Sequence, residues 1–211
     1  MNVSGAPAPV SVRAELTEQW GDPLQRVSGK LSPVLHDWLR RFIELSPFVV
    51  LASTDGRGCC DASPRGGAPG FVRVLDEQTL FVPEESGNRL LQTLRNLEEN
   101  PGIGMLFLIP GMPESARVNG LAEPLTRSDP RWGELPLDEG ERERLLWGSL
   151  VRVTEAYYHC GRSSRFGGLW DTGAIERHRA NPPLAKRPAA APARTHKRPS
   201  EATAAEGPLS S

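Results

Sequence analysis

The pattern that most limits what this chain can fold into is a succession of short apolar runs, each closed by turn residues. Residues 48–52 (FVVLA) lead to Asp55-Gly56, a dipeptide suited to the positive φ values of a hairpin turn. The return segment, 58–65, contains DASPR. Runs at 71–75 and 79–82 flank the turn pair Asp76-Glu77, and further strands read at 102–109 and 117–121. An alternating LVRVT at 150–154 completes the set and is expected to run into a helical EAYYHC segment. Helical spacing is confined to a few places. Leu35, Trp38, Leu39 and Phe42 follow Ser32-Pro33, an N-cap with proline in the first turn, and Ser46-Pro47 stops that helix. Leu90, Leu91, Leu94 and Leu97 share a face over 86–100, ended by Asn100-Pro101. The strand–helix alternation of a doubly wound sheet is missing. A mainly β domain with flanking helices, built as a small antiparallel barrel, is expected.

Length and charge divide the chain further. The 211 residues suit one domain with tails rather than two domains of about 100–200 residues each. Residues 177–211 hold seven Lys/Arg against two Asp/Glu, so the near-zero net charge joins an acidic body to a basic tail. That tail has six prolines, many alanines and no aromatic residue. It cannot bury enough apolar surface to offset its chain entropy. The expected organisation is an N-terminal arm over 1–31 with a short helix near 12–19, an ordered domain over 32–173, and a disordered tail over 174–211.

Several classes are excluded. The longest largely apolar run, 102–112, is about half a bilayer span. The start MNVSGAPAPVSV has no cationic or apolar signal character, so a soluble cytoplasmic protein is expected. Three cysteines without CxxC spacing and four scattered histidines give neither a disulfide framework nor a metal ligand set. No Ser/His/Asp arrangement, P-loop or dinucleotide fingerprint is present, so no catalytic side chain is assigned. The basic tail is read as solvated, with no dedicated nucleic-acid partner.

Three segments carry groups suited to binding. Asp61-Ala-Ser-Pro-Arg-Gly-Gly places the Ser63 hydroxyl, the Arg65 guanidinium and glycine backbone N–H groups together, as a phosphate or heteroaromatic edge requires. Ser86-Gly-Asn-Arg lies at an expected helix start, where unpaired N–H groups favour an anion and Arg89 adds charge. Arg117 and Asn119 alternate with Val118 and share one strand face. A solvated loop, a capped helix and a rim pair are the respective structural alternatives.

In collinear order FIELSPFVVLASTDGRG, DASPRG with PGFV, GNRLLQTLRNLEENPGIGMLFLIPG, RVNGLAE and AYYHC…LW resemble the flavin-binding split-barrel proteins related to pyridoxamine 5′-phosphate oxidase. The likeness covers roughly 32–171 and is nearest to an FMN-dependent, oxidase-like subgroup. It implies a six-stranded antiparallel split β-barrel that works as a homodimer, with two FMN molecules in clefts between subunits. Ser63, Pro64 and Arg65 then line the flavin, Asn88 and Arg89 hold its phosphate, Arg117 and Asn119 approach the ring, and Trp170 reaches towards the partner's flavin. The implied function is an FMN-dependent oxidoreductase acting on a small molecule. A non-catalytic flavin, deazaflavin or haem binder on the same barrel is the alternative, with His36 or His159 as axial ligand for haem. The chain departs from the pattern at Gly67, where the subgroup commonly has an acidic residue, and at Asn88, where a second base is usual. It also lacks the C-terminal arginine/histidine pattern of the vitamin-converting oxidase, so pyridoxal phosphate synthesis is not expected.

Overall fold

The computed structural model describes residues 11–22, 30–85 and 90–184. The chain forms two compact units, Met1–Trp170 and Asp171–Ser211. The first is built on one antiparallel sheet: β1 (Phe48–Thr54), β2 (Cys60–Gly66), β3 (Arg73–Val74), β4 (Thr79–Glu84), β5 (Gly102–Leu108), β6 (Ser115–Thr126) and β7 (Trp147–His159). Their order is β2-β1-β5-β6-β7-β4-β3. Among the described residues no pairing joins β2 to β3, so the sheet is not closed. The mainly β, helix-flanked architecture is as expected. The strand count is seven rather than six, because the run at 71–75 adds a two-residue pairing of Arg73 with Phe81 and Val74 with Leu80.

Packing explains which sequence signals prevailed. Val49, Leu51, Met105, Phe107, Val118 and Val151 alternate into the main core. There they meet Leu39, Phe42 and Ile43 of α2 (Asp37–Leu45), following α1 (Val12–Trp20). The β4 run Leu80-Phe81-Val82 does not alternate because both its faces are covered. Leu80 and Val82 enter the main core, while Phe81 joins a second cluster with Leu125, Trp132, Leu135, Leu137 and Leu145. That second cluster comes from a segment carrying a 3-10 helix (Pro130–Glu134) and, after α3 (Gln92–Glu99), the short helix α4 (Glu139–Arg144). The Phe81 and Trp132 rings meet edge to face, 5.9 Å apart. A capping box formed by Asp138 and Glu141 starts α4.

Three local readings are corrected. Helix α2 begins at Asp37, not after Ser32, because Ser32 pairs with Ala156 as a β-bridge and turns its hydroxyl onto Val34. The EAYYH part of EAYYHC is strand, since residues 155–159 of β7 pair with 115–119 of β6. Helix α3 begins at Gln92 and buries Thr93, Asn96 and Leu97, whereas Leu90 and Leu91 are exposed. Leu91 adopts φ 51°, which breaks the helical phase before it reaches Leu90.

In the second unit, α5 (Thr172–Ala180) is capped by the Asp171 carboxylate, which accepts from the Ala174 N–H. The boundary expected at 174 falls inside this helix. It buries no residue. Most of the expected tail, 185–211, lies outside the described residues, as do 1–10 and 23–29 of the arm.

Candidate functional site

A cleft of about 470 Å³ opens where the C-terminal end of β2, the end of β4, the start of α3 and the α4 segment converge. This volume suits a small-molecule or cofactor site. Ser63, Pro64, Arg65 and Gly66 line one side, Gln92, Thr93 and Leu94 another, and Glu141, Arg144 and Trp147 a third.

Arg65 is the fixed point of the cleft. Its Nε donates to both carboxylate oxygens of Glu84, at 2.8 and 2.7 Å, and its two Nη atoms donate to the Pro64 carbonyl and Thr93 Oγ1. The Glu84 side chain is 8% exposed and that of Arg65 24%. A guanidinium has five N–H groups. These bonds leave one on each Nη nitrogen, held in place by the carboxylate behind them. Two further pairs border the cleft, Arg73 with Glu141 and Arg144 with Glu85. Three arginines therefore face three glutamates, and the site is a set of oriented ion pairs rather than a bare positive patch.

Glycine at 67 has a steric reason here. A Cβ built on Gly67 meets Phe71 Cβ and Cγ at 2.8 Å, so an acidic side chain does not fit without moving the ring. The carboxylate for Arg65 comes instead from Glu84, 19 residues on.

Among the described residues no side chain caps the N-terminus of α3, and its first N–H groups have no intrahelical partner. The helix is located by amides on its inner face. Asn96, 1% exposed, donates from Nδ2 to Ser53 Oγ and to Asp61 Oδ2, each at 2.9 Å, while Gln92 Nε2 donates to Asp61 Oδ1. Glu99 Oε2 accepts from the Gly56 N–H at 2.9 Å, tying the β1–β2 turn to the same helix. Asp55 shapes that turn by accepting from the N–H groups of Arg57 and Cys59, and the Cys59 bond foremost holds its carboxyl below the ordinary range.

Register places the other candidates on the opposite sheet face. Arg65 and Ser63 pair with Val49 and Leu51, which face the core. Arg117 and Asn119 pair with Leu106 and Gly104, which pair in turn with Val50 and Ala52 on the outer face. Both bind Glu155 Oε1, Arg117 Nη2 at 2.6 Å and Asn119 Nδ2 at 3.0 Å. The Arg117 guanidinium lies 4.2 Å above the Tyr157 ring, and its buried Nε has no hydrogen-bond acceptor among the described residues. The His159 ring lies tilted against Tyr157, centroids 4.6 Å apart; burial, then the charge of Arg117, lowers its pKa. His36 is exposed at the start of α2. Within the chain the structure gathers Ser63, Pro64 and Arg65 into the cleft and leaves Arg117 and Asn119 outside it. The Trp170 indole N–H donates to the Met112 carbonyl of its own chain at 2.7 Å. Asn88 and Arg89 lie outside the described residues.

Sequence reading missed Glu84, Thr93, Asn96 and the α4 wall. The capping-box spacing from Asp138 to Glu141 was the visible sign of α4. Nothing local marks Glu84 as the partner of Arg65. Among the described residues no group of three or more His, Cys, Asp or Glu is placed to hold a metal, and no helix is long and apolar enough to cross a membrane.

The family model described as pyridoxamine 5′-phosphate oxidase matches residues 35–149, more than half of the chain. No curated protein matches the sequence. Solved structures similar to it include a variant of HupZ from Group A Streptococcus, at 18% identity over 59% of this chain and 99% of that one, TM-score 0.45. HutZ, the haem storage protein of Vibrio cholerae, is 15% identical over 60% and 94%, TM-score 0.44. A Clostridium acetobutylicum protein related to general stress protein 26 of B. subtilis, of the pyridoxinephosphate oxidase family, is 15% identical over 57% and 84%, TM-score 0.42.

Proposed function

The chain belongs to the pyridoxamine 5′-phosphate oxidase family, and from that premise we propose that it is an FMN-dependent oxidoreductase whose flavin phosphate occupies the Arg65 cleft. The observation that carries this reading is the convergence of two oriented Arg65 N–H groups, the Thr93 hydroxyl and the uncapped start of α3 on one cleft of about 470 Å³. Together these form a donor set for a dianionic phosphate. Glu84 holds the guanidinium edge-on, so the donors are positioned before the ligand arrives. Gly66 and Gly67 keep the β2 end free of side chains beside them.

When bound, FMN supplies the hydride or electron chemistry. The protein binds it, orients it and limits solvent access. No side chain is assigned proton transfer.

A homodimer completes the reading. The outer face of β1 and β5 presents Phe48, Val50, Leu106 and Leu108, all partly exposed, between the edge strand β2 and the Arg117–Asn119 row. A second copy covering this face brings Arg117 and Asn119 of one subunit towards the cofactor of the other, which explains why one protomer does not unite them. The small-molecule substrate meets the flavin at that junction.

The absorption spectrum of the purified protein, before and after FMN is added and excess removed by gel filtration, tests the reading. Retained flavin bands at one equivalent per chain, with electrons passing from a reductant through the bound flavin to a soluble acceptor, support it. Colourless protein with unchanged thermal stability in FMN overturns it.

A further inference from the structure

Away from the cleft, Trp38 on α2 and Tyr158 near the end of β7 form an aromatic corner, with ring centroids 5.3 Å apart and planes at 57°. With Met112 and Glu114 they line an open recess of about 390 Å³. Trp38 is 45% exposed and Tyr158 38%. Trp38 is braced from behind by Phe42, one helical turn on, at 5.1 Å.

The fourth side of the recess is also fixed. The turn bearing Met112 and Glu114 is fastened by the Trp170 indole N–H on the Met112 carbonyl and by the Ser164 hydroxyl on the Pro113 carbonyl, at 2.6 Å. Gly161 lets that turn approach closely, since a Cβ there would meet Pro113 at 2.5 Å. Two tilted aromatic rings, with Met112 and Glu114 on a turn fixed through its main-chain carbonyls, thus line one opening.

The Tyr158 ring already carries a cation. Lys30 Nζ sits 4.5 Å from its centroid, within the range of a cation–π contact. Aromatic faces joined by a carboxylate select an organic cation over an inorganic one, because methyl groups spread the charge and are shed from water at little cost. We infer that the Trp38–Tyr158 corner is a binding site for a small methylated ammonium compound, and that the Lys30 ammonium is its internal competitor. The site is separate from the Arg65 cleft and independent of the flavin reading.

Saturation-transfer NMR with tetramethylammonium chloride, at constant ionic strength set by sodium chloride, tests this on the full-length protein. Transfer to the methyl protons is expected in the wild type. Lys30→Met, which keeps the side-chain stem, binds about threefold more tightly, the effect of one exposed cation–π contact removed from competition. Trp38→Leu abolishes the transfer, and Glu114→Gln weakens binding by a similar factor to that gained in Lys30→Met. Circular dichroism confirms that each variant is folded. Absence of transfer in Lys30→Met, or transfer undiminished in folded Trp38→Leu, overturns the inference.

Discussion

Arg65 on β2 and Glu84 at the end of β4 form a two-oxygen contact through a single nitrogen, Nε, at 2.7 and 2.8 Å. The strands involved are not neighbours in the sheet: β2 stands at one end, and β4 is next to last at the other. The pair therefore joins the two ends of the open sheet beside the cleft, and it couples the stability of the domain to the geometry of the candidate site.

The two members of this pair have different expected effects when removed. Arg65→Ala strands a carboxylate that is 8% exposed and is expected to cost about 3 kcal/mol in urea denaturation. It also weakens FMN binding. Glu84→Gln keeps one acceptor for Arg65 Nε and with it the guanidinium's placement, costs less, and removes the negative charge behind the guanidinium, so FMN binds more tightly. Flavin fluorescence titration of both variants reads the opposite signs.

Asn96→Leu tests how α3 is positioned. The substitution leaves Ser53 Oγ and Asp61 Oδ2 without their shared donor, at an expected cost of about 1–3 kcal/mol. FMN affinity falls although the side chain does not line the cleft. Unchanged affinity in a folded Asn96→Leu protein shows that this network does not set the helix position.

How far these relationships could be read in advance depends on the range of the interaction. The β1–β2 hairpin was visible because Asp55-Gly56 and the apolar run before it are contiguous, and Asp55 satisfies the turn's own N–H groups. Arg65 was visible as an arginine beside glycines. Its partner was not, because Glu84 becomes adjacent only when β2 and β4 are folded. The strand at 155–159 was misread as helix for the same reason: pairing with 115–119 outweighed local propensity. The α3 start was misplaced because a left-handed Leu91 gives no sequence signal comparable to glycine.

Leu106→Glu tests the outer-face interface. Leu106 is partly exposed and pairs with Arg117 beside it on β6, so a carboxylate there is tolerated by the isolated subunit. The variant is expected to sediment as a monomer with unaltered circular dichroism and to lose bound flavin. A dimer with wild-type stability in analytical ultracentrifugation assigns the interface elsewhere.

Acid stability has a defined contributor outside the site. The Arg131 side chain, then its backbone N–H, lowers the Asp129 pKa from 3.8 to about 2, and Arg131 also lowers that of Glu123. A carboxylate with a depressed folded pKa stabilises above its unfolded value and loses that contribution as protons bind. Stability is therefore expected to fall as the pH drops from about 4 towards 2. Arg131→Met flattens the slope in that window, measured by thermal denaturation at successive pH values; an identical slope in the variant removes the contact as its cause.

The central claim, that the Arg65 cleft holds the flavin through its phosphate, is tested most directly by equilibrium titration of the apoprotein with FMN and with riboflavin. Binding at least tenfold tighter for FMN, the difference of about 1.4 kcal/mol expected from charge-assisted phosphate contacts, with the preference lost in Arg65→Ala, is the predicted result. Equal affinity for the two flavins, or a preference that survives Arg65→Ala, contradicts it.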